Sequence, residues 1–253
     1  MWKSLKWQDC DELLVLTIAE KRCLIGKSFL IVLVLDYFFY QSIWAIPFLL
    51  GVGIIFYRIE KKTLYQKKKE AAREQFKELM LLTATGQKAG YSAENAFLSS
   101  YQDMKALFGE DSSVCRMIRI LKAGKENNIP FSKLWKQMGR QLDIVEITEF
   151  AQIYEIAQKS SGNMASVMEK TAEIIIQKIE TEKEISVLLS ARRLEQKVMN
   201  VMPFFIMLYI NITSPGYFGR LYHSLAGNFI MSLCLCMYLC AYALSVHMIS
   251  IEI

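Results

Sequence analysis

One short string in the chain is similar to part of a nucleotide-binding loop: Gly26-Lys27-Ser28. A phosphate-binding loop needs another glycine five positions before the Gly-Lys pair, a strand in front of the loop and an amphipathic helix behind it. Lys21 occupies the position of that glycine, and a long apolar run follows the string. The string therefore does not predict nucleotide binding.

The residues that most often hold metals or form disulfides are few and scattered. Neither His223 nor His247 has a cysteine or a carboxylate set at the spacing of a metal site. None of the six cysteines belongs to a Cys-x-x-Cys pair, and three of them lie inside an apolar run. This pattern favours reduced, packed thiols over a disulfide framework or a zinc site.

Pairs of carboxylates at helical spacing are the remaining candidates for chemistry, for example Glu146 with Glu149 and Glu180 with Glu184. Lysines lie nearby, which is typical of a solvated helix face with ion pairs. No Gly-x-Ser-x-Gly nucleophile elbow is present. We therefore expect a protein that is not an enzyme and that uses no metal and no cofactor.

The chain is organised around a polar middle, residues 71–197, with an apolar stretch on either side. Of the 253 residues, 53% are hydrophobic, while only four are prolines and twelve are glycines. Such a composition favours helices with few loops. The predicted fold is all-α: an integral membrane protein with about four transmembrane helices and one cytoplasmic antiparallel helical bundle.

The predicted domains follow from these stretches. Residues 1–23 form a cytoplasmic amphipathic segment, 24–57 a transmembrane hairpin and 58–73 a basic juxtamembrane helix. Residues 74–197 form the cytoplasmic bundle, and 198–253 a pair of transmembrane helices. Since one span needs about 20 residues, the hairpin holds two short spans joined at Gln41-Ser42, or it is re-entrant and does not cross.

Asp36 lies about one helical turn before the predicted hairpin turn. A carboxylate at membrane depth is a functional candidate. The alternative is a carboxylate that reaches the nearby headgroups or is protonated.

Basic residues cluster where the polar middle meets the apolar stretches, and we call them the basic collar: Arg58, Lys61, Lys62, Lys67, Lys68, Lys69, Arg73, Arg192 and Arg193. Such clusters stay on the cytoplasmic side and contact anionic lipids. No aromatic platform accompanies the lysines, as binding of a single-stranded nucleic acid would need. We therefore expect contact with membrane lipids and not with nucleic acid.

Inside the polar middle, apolar stripes predict helices that must pack on one another. The first helix, 71–85, ends in a turn that begins at Gly86. Ser92 can cap the next helix, which Gly109 closes, and Asp111-Ser112 begins another. Asp143 is expected to cap the fifth helix. From Met164 no glycine or proline intervenes before Pro203, which predicts one long helix that continues into the third span.

Several of these segments resemble the type II secretion system F family, the inner-membrane platform proteins of pilus-like machines. The resemblance begins with the string from Thr85 to Phe97, TGQKAGYSAENAF, and includes Ile129-Pro130-Phe131 with Leu134 and Trp135. It continues with Lys159–Met164, KSSGNM, whose Ser161 stands where many members have glycine. In this comparison the turn residues are Gly86, Gly90, Gly162 and Asn163, with Gly162 expected to be left-handed.

The closing segment is similar to the Tad (tight adherence, Flp pilus) branch of the family. Three strings carry this similarity: Arg192–Gln196, Met202-Pro203 and Ser214–Tyr217. The helical domain occurs once here, which also favours that branch. The resemblance implies a platform in the bacterial cytoplasmic (inner) membrane that binds a hexameric secretion or pilus ATPase, pilin subunits, and itself or a paralogue. The alternative function is a membrane receptor or transport component with a cytosolic sensing bundle. Against a transporter, Asp36 and Asn211 are nearly the only strongly polar residues in the predicted spans.

The distribution of lysine and arginine predicts the topology. The proposed inner flanks carry five, seven and three of these residues, whereas the outer loops carry none and one. This bias places both termini and the bundle in the cytoplasm.

We predict that Asp143 is cytoplasmic and that Tyr217 lies outside, because the bias separates their segments. In a cysteine-free background, Tyr217→Cys should react with a membrane-impermeant maleimide in intact cells. Asp143→Cys should react only after the cells are opened. Labelling of Asp143→Cys but not of Tyr217→Cys in intact cells would overturn the topology.

Overall fold

The computed structural model describes residues 17–40, 46–159, 164–214, 216 and 225–251. All regular structure in these ranges is α-helical. The helices are α1 (Ile18–Phe39), α2 (Ile46–Lys88), α3 (Ala93–Ser99), α4 (Tyr101–Phe108), α5 (Ser113–Glu126), α6 (Phe131–Leu142), α7 (Val145–Lys159), α8 (Met164–Thr213) and α9 (Leu225–Ile251). The all-α prediction is confirmed for the described residues.

The chain divides into two compact units. Thr63–Glu182 belongs to the first, and Thr17–Lys62 with Lys183–Ile253 forms the second. The first unit therefore starts and ends earlier in the chain than the predicted bundle of residues 74–197. The predicted hairpin turn, Gln41-Ser42, lies outside the described residues.

The second unit contains one segment that could cross a membrane by its length and composition. Among the described residues, only Gly227–Ser245 of α9 meets this criterion, and 17% of its most apolar window is buried. This finding is compatible with membrane association in a general way. The four spans and their topology remain predictions.

The core of the first unit is built around five aromatic rings. Trp135 of α6 lies 5.1–5.6 Å, between ring centroids, from Phe76, Phe97 and Phe150 of α2, α3 and α7. Tyr154 extends the cluster from Phe150 at 5.8 Å. The pairs of Trp135 with Phe76 and with Phe150 meet edge to face, a geometry worth about 0.5–1.5 kcal/mol per pair beyond the burial of area. Four helices therefore share one aromatic centre.

The turn after α2 starts later than predicted. α2 runs through Gly86 to Lys88, so Gly86 is helical. The amide of Tyr91 donates to the carbonyl of Gly86 at 3.1 Å, and that of Gly90 donates to Gln87 at 2.9 Å. With Gly90 at φ +94°, this pairing is a Schellman motif, which satisfies carbonyls that a helix end leaves free. A Cβ on Gly86 would lie 3.3 Å from that of Ala96, so this glycine lets α3 approach α2.

Two predicted caps are confirmed and one helix is divided. Ser92 and Ser112 accept hydrogen bonds at 3.4 Å from the amides of Asn95 and Cys115, at the starts of α3 and α5. The stretch from Ser92 to Gly109 forms two helices, since α3 ends at Ser99. The hydroxyl of Ser100 donates to the carbonyl of Ala96 at 2.8 Å, a local bond of the kind that competes with helix continuation.

Asp143 ends α6 instead of capping α7. It has φ +51° and forms the C-cap of α6, where its amide donates to the carbonyl of Gly139. Its carboxylate accepts from Lys69 at 2.8 Å. Asp is one of the few residue types that adopt the left-handed conformation at modest cost. The sharp α6–α7 turn that results brings Thr148 onto Gly139.

The long helix predicted from Met164 is confirmed. α8 extends from Met164 to Thr213 and contains Pro203. α2 is also long, with 43 residues. Each of the two helices has one part in each unit.

Gly139→Ala should destabilise the first unit. A helical Gly→Ala change normally stabilises by about 0.5–1 kcal/mol. Here the added Cβ would lie 2.6 Å from Thr148 Oγ1 and 2.9 Å from its amide nitrogen. Backbone must then move, so we expect a net loss of about 1–3 kcal/mol. Hydrogen exchange of α6 and α7 peptides in the purified full chain measures it.

The matched control is Arg140→Ala, the next residue on α6, whose side chain is exposed. We expect it to change exchange protection by less than about 0.5 kcal/mol. Equal protection in Gly139→Ala and Arg140→Ala would contradict the close approach.

Candidate functional site

The guanidinium of Arg73 connects three helices of the first unit. Arg73 lies on α2 and donates to both carboxylate oxygens of Glu146 on α7, at 3.1 and 2.6 Å. Its Nη2 also donates to Glu182 on α8 at 2.6 Å. The planar fork of arginine suits such two-pronged binding of a carboxylate, and lysine cannot reproduce it.

Two of these groups, Arg73 and Glu146, are largely withdrawn from solvent. The side chain of Glu146 is 4% exposed and that of Arg73 is 20% exposed. Burial alone would raise the pKa of Glu146, but the hydrogen bonds and charge of Arg73 outweigh it and hold that pKa below its ordinary value. In the same way, burial opposes the charge of Arg73, while its two carboxylate partners raise its pKa. The pair is therefore ionised at neutral pH.

Further ion pairs surround this contact. Lys178 of α8 lies 3.6 Å from Glu146 and 3.3 Å from Glu149. We call the five residues the Arg73 cluster: Arg73, Glu146, Glu149, Lys178 and Glu182. One turn further along α2, Lys77 lies 3.6 Å from Glu180 of α8. The arrangement can hold α2, α7 and α8 in one relative position.

The basic collar is divided in the structure. Lys69 and Arg73 are engaged with Asp143 and with the Arg73 cluster inside the first unit, so they have a packing role that the sequence analysis did not foresee. The side chains of Arg58, Lys61, Lys62, Lys67 and Arg192 are exposed, and those of Lys68 and Arg193 are half-buried. For the exposed members of the basic collar, contact with membrane lipids remains a prediction.

The second unit carries the intramembrane candidate. Asp36 lies on α1 and is half-buried, and its Oδ1 is buried without a hydrogen-bond partner among the described residues. Ser28 Oγ on the same helix is also buried without a partner among the described residues. Two pairs of polar side chains in this unit are hydrogen-bonded. The Tyr40 hydroxyl lies 2.7 Å from Ser232 Oγ, and Gln196 donates to Ser245 at 2.6 Å. Asp36 therefore retains unused hydrogen-bonding capacity.

Large apolar side chains are exposed along each of the four helices that the structure describes in the second unit. Phe29 of α1, Ile55 of α2, Phe205 of α8 and Phe229 of α9 are between 56% and 72% exposed. Exposed apolar surface on this scale marks contact with a membrane or another protein. These side chains belong to the apolar stretches from which the sequence predicts spans.

Of the predicted turn residues, the described ones are Gly86 and Gly90, which lie at the end of α2. Gly162 and Asn163 lie outside the described residues, so the left-handed turn expected at Gly162 remains a prediction.

Sequence reasoning treated Glu146 as a solvated residue and missed its burial. One signal was present in the spacing. Glu146, Phe150 and Tyr154 follow one another at intervals of four, and Phe150 and Tyr154 belong to the apolar stripe of α7. A carboxylate in register with a buried stripe needs a cation on the neighbouring helix.

Comparison with known proteins gives no relative. No protein-family model, curated protein or solved structure matches this chain.

Glu146→Gln should destabilise the bundle by about 1.5–3 kcal/mol, the range for a lost hydrogen bond to a charged group. The matched control is Glu149→Gln on the same helix. The carboxylate of Glu149 is 49% exposed, so this substitution should lower the free energy of unfolding by only about 0–1 kcal/mol. Chemical denaturation of the purified chain measures the loss of stability in both variants, and hydrogen exchange in α7 is a second measurement of it. Equal losses in the two variants would contradict the role of Glu146.

The effect of Glu146→Gln should also depend on pH. Because the folded-state pKa of Glu146 is lowered, its contribution is complete above the ordinary pKa of 4.5. It is lost as the pH falls below that value and through the lowered pKa. The stability gap between the wild type and Glu146→Gln should therefore be constant from neutral pH to about pH 5 and should narrow in stronger acid. A gap that widens in acid would refute this assignment.

Proposed function

We propose that this protein is an inner-membrane platform of a Tad or type IV pilus-like, or type II secretion-like, assembly machine. It has no catalytic activity of its own. It couples a cytoplasmic motor ATPase to the extraction of pilin and to pilus assembly or protein secretion.

The observation that carries the proposal is the division of α2 and α8 into a polar and an apolar part. α2 is apolar as far as Tyr57 and charged from Arg58 onward, and α8 is charged as far as Lys197 and apolar from Val198. The apolar part of each helix belongs to the second unit. The charged part of α2 belongs mainly to the first unit, and that of α8 is divided between the two units after Glu182. A protein that joins a cytoplasmic machine to membrane components needs such helices.

The exposed apolar side chains of the second unit support a lipid environment. They occur on α1, α2, α8 and α9, the helices that contain the four proposed spans. Burying an apolar side chain in lipid is favourable by about 1.5–3 kcal/mol, so together these side chains would hold the unit in the membrane. The exposed members of the basic collar would then contact anionic headgroups on the cytoplasmic side.

The partners come from the resemblance alone. The first unit would bind the hexameric ATPase, and the membrane helices would contact pilin subunits and a second platform protein. Within the described residues, the longest string that carries the resemblance contains the turn Gly86–Phe97. The Schellman motif and the Ser92 cap show that this turn is an ordered structural element.

The second candidate function, a membrane receptor or transport component, is favoured by one observation. Within the described part of the chain, Asp36 keeps a buried oxygen without a partner, as a ligand-binding or ion-binding group would. An adjacent secretion ATPase gene and a small pilin gene in the genome would favour the platform, and their absence would favour the receptor.

The direct test is deletion of the gene followed by complementation. The platform proposal expects loss of surface pili, with pilin accumulating in the membrane, and recovery with the wild-type gene. A deletion strain that still assembles pili and secretes normally would refute the proposal.

A Gly-Gly insertion after Glu195 tests whether force passes along α8. The insertion should cost about 2 kcal/mol of local helix propensity and introduce a swivel. We expect membrane insertion and ATPase binding to survive, because they depend on other segments, and we expect pilus assembly to fail. Counting pili by electron microscopy measures the outcome.

An Ala-Ala insertion at the same point is the control, since it shifts the register equally but keeps the helix. It should retain more pilus assembly than the glycine insertion. Normal assembly with Gly-Gly, or equal failure of the two variants, would refute the idea that stiffness of α8 matters.

A further inference from the structure

The hairpin formed by α5 and α6 concentrates positive charge in the first unit. From Ser113 to Leu142 the chain has seven cations and one carboxylate, Glu126. The cations on α5 are Arg116, Arg119, Lys122 and Lys125, and those on α6 are Lys133, Lys136 and Arg140.

The cations lie outside the buried face of each helix. On α6 their intervals of three and four are the spacings of one helix face. On α5 they recur at intervals of three, so the row winds by about 60° at each step and spreads over about half of the circumference from Arg116 to Lys125. The buried faces contain Met117 and Leu121 on α5 and Trp135 and Met138 on α6. Arg116 is half-buried, and the other six side chains are exposed.

Close packing places the two helices side by side. Leu134 lies against Gly124, where a Cβ would collide with its methyl groups. Helices in contact are about 8–10 Å apart, and the 14 residues of α5 extend over about 21 Å. We call the cations of the two helices together the basic hairpin face.

The charge on this face is poorly neutralised compared with the rest of the unit. In the part of the chain that the structure describes, two of its cations have a carboxylate partner: Lys125 with Glu94 and Lys136 with Glu155, both at 3.9 Å. Elsewhere in the unit, Lys69–Asp143, Lys88–Glu169 and Lys105–Glu110 close to 2.7–2.8 Å. Most acidic residues of this unit are thus already paired with cations outside the face. They are therefore poor partners for the basic hairpin face of a second copy of the chain.

The face also lacks features that a lipid or nucleic-acid surface would use. No large hydrophobic side chain from Ser113 to Leu142 is exposed, although an interfacial helix needs an apolar side to insert. An aromatic stacking platform for single-stranded nucleic acid is missing from it as well. The exposed lysines next to an apolar segment, which suit a membrane surface, are in the basic collar.

We propose that the basic hairpin face docks an acidic surface of a soluble protein. The inference rests on the proposed function in one respect, that the first unit faces the cytoplasm. Seven cations on two adjacent helices, with few carboxylates close to them, suit a partner surface that presents several carboxylates. Such charge complementarity speeds association and makes it sensitive to salt.

The test uses the full chain in nanodiscs of neutral phosphatidylcholine and a fluorescein-labelled helical peptide with glutamates along one face. We expect binding by fluorescence anisotropy that weakens steeply between about 50 and about 200 mM salt. The double variant Arg119→Glu/Lys122→Glu should bind the peptide roughly tenfold more weakly. The control Lys61→Glu/Lys67→Glu, with the same change in charge, should bind within about twofold of the wild type.

Two further probes separate the rival surfaces: vesicles containing phosphatidylglycerol, in a flotation assay, and a duplex DNA oligonucleotide. The hairpin variant should alter binding of either probe less than it alters peptide binding. Wild-type peptide affinity in the hairpin variant would overturn the proposal, as would a larger effect on vesicles or DNA. Arg119→Gln/Lys122→Gln, with hydrogen exchange of α5, separates loss of charge from loss of folding.

This measurement is independent of pilus assembly. If the platform proposal fails, a deletion strain still assembles pili, whatever the peptide does. If the docking proposal fails, the anisotropy variants are equal while the deletion phenotype can persist.

Discussion

The guanidinium of Arg73 connects three helices and compensates a carboxylate that is buried on one of them. Glu146 is buried on α7, and a buried carboxylate without a partner would cost several kcal/mol or lose its charge. Arg73 answers it from α2 and reaches Glu182 on α8 as well. Such a contact adds less to net stability than its distances suggest, because both groups are desolvated. Its main effect is to specify which helix positions face one another.

The aromatic cluster and the Arg73 cluster contribute differently to the packing of the first unit. Trp135 and its neighbours supply apolar burial and shape at the centre of the first unit. The ion pairs of Arg73, Lys178 and Lys69 set the register of the surrounding helices. Gly139 and Gly86 permit the close approaches that the register demands. A defect in any of these positions should spread through the unit, since they share α2, α6 and α7.

Charge has different tasks in different parts of the chain. Within the first unit, many charged side chains of α2, α7 and α8 form ion pairs with one another and so neutralise each other. On α5 and α6 the cations are mostly without close carboxylates in the described structure, so their field is directed outward. In the exposed part of the basic collar, cations follow directly on an apolar segment. The proposed platform would use the last two regions for different surfaces, a soluble partner and a membrane.

The sequence alone determined the helical class, the long α8 and the caps at Ser92 and Ser112, because these depend on local spacing and on single side chains near a helix end. It misplaced the turn after α2 and the role of Asp143. The end of α2 depends on a hydrogen-bond pattern around Gly90, and Asp143 is left-handed where α6 turns into α7. Both are consequences of how helices meet, which a one-dimensional pattern contains only weakly.

The pairing of Arg73 with Glu146 could be decided only by the tertiary structure, for a physical reason. The two residues are far apart in the chain. The spacing of Glu146 places it in register with the apolar stripe of α7, but no spacing indicates which cation lies opposite it. Whether a charge is solvated or buried depends on which helix covers it, and that is set by the packing of α2, α7 and α8. The basic hairpin face shows the same division. Its cations are visible in the sequence, but the absence of close carboxylates around most of them, within the described residues, appears only when the neighbouring helices are in place.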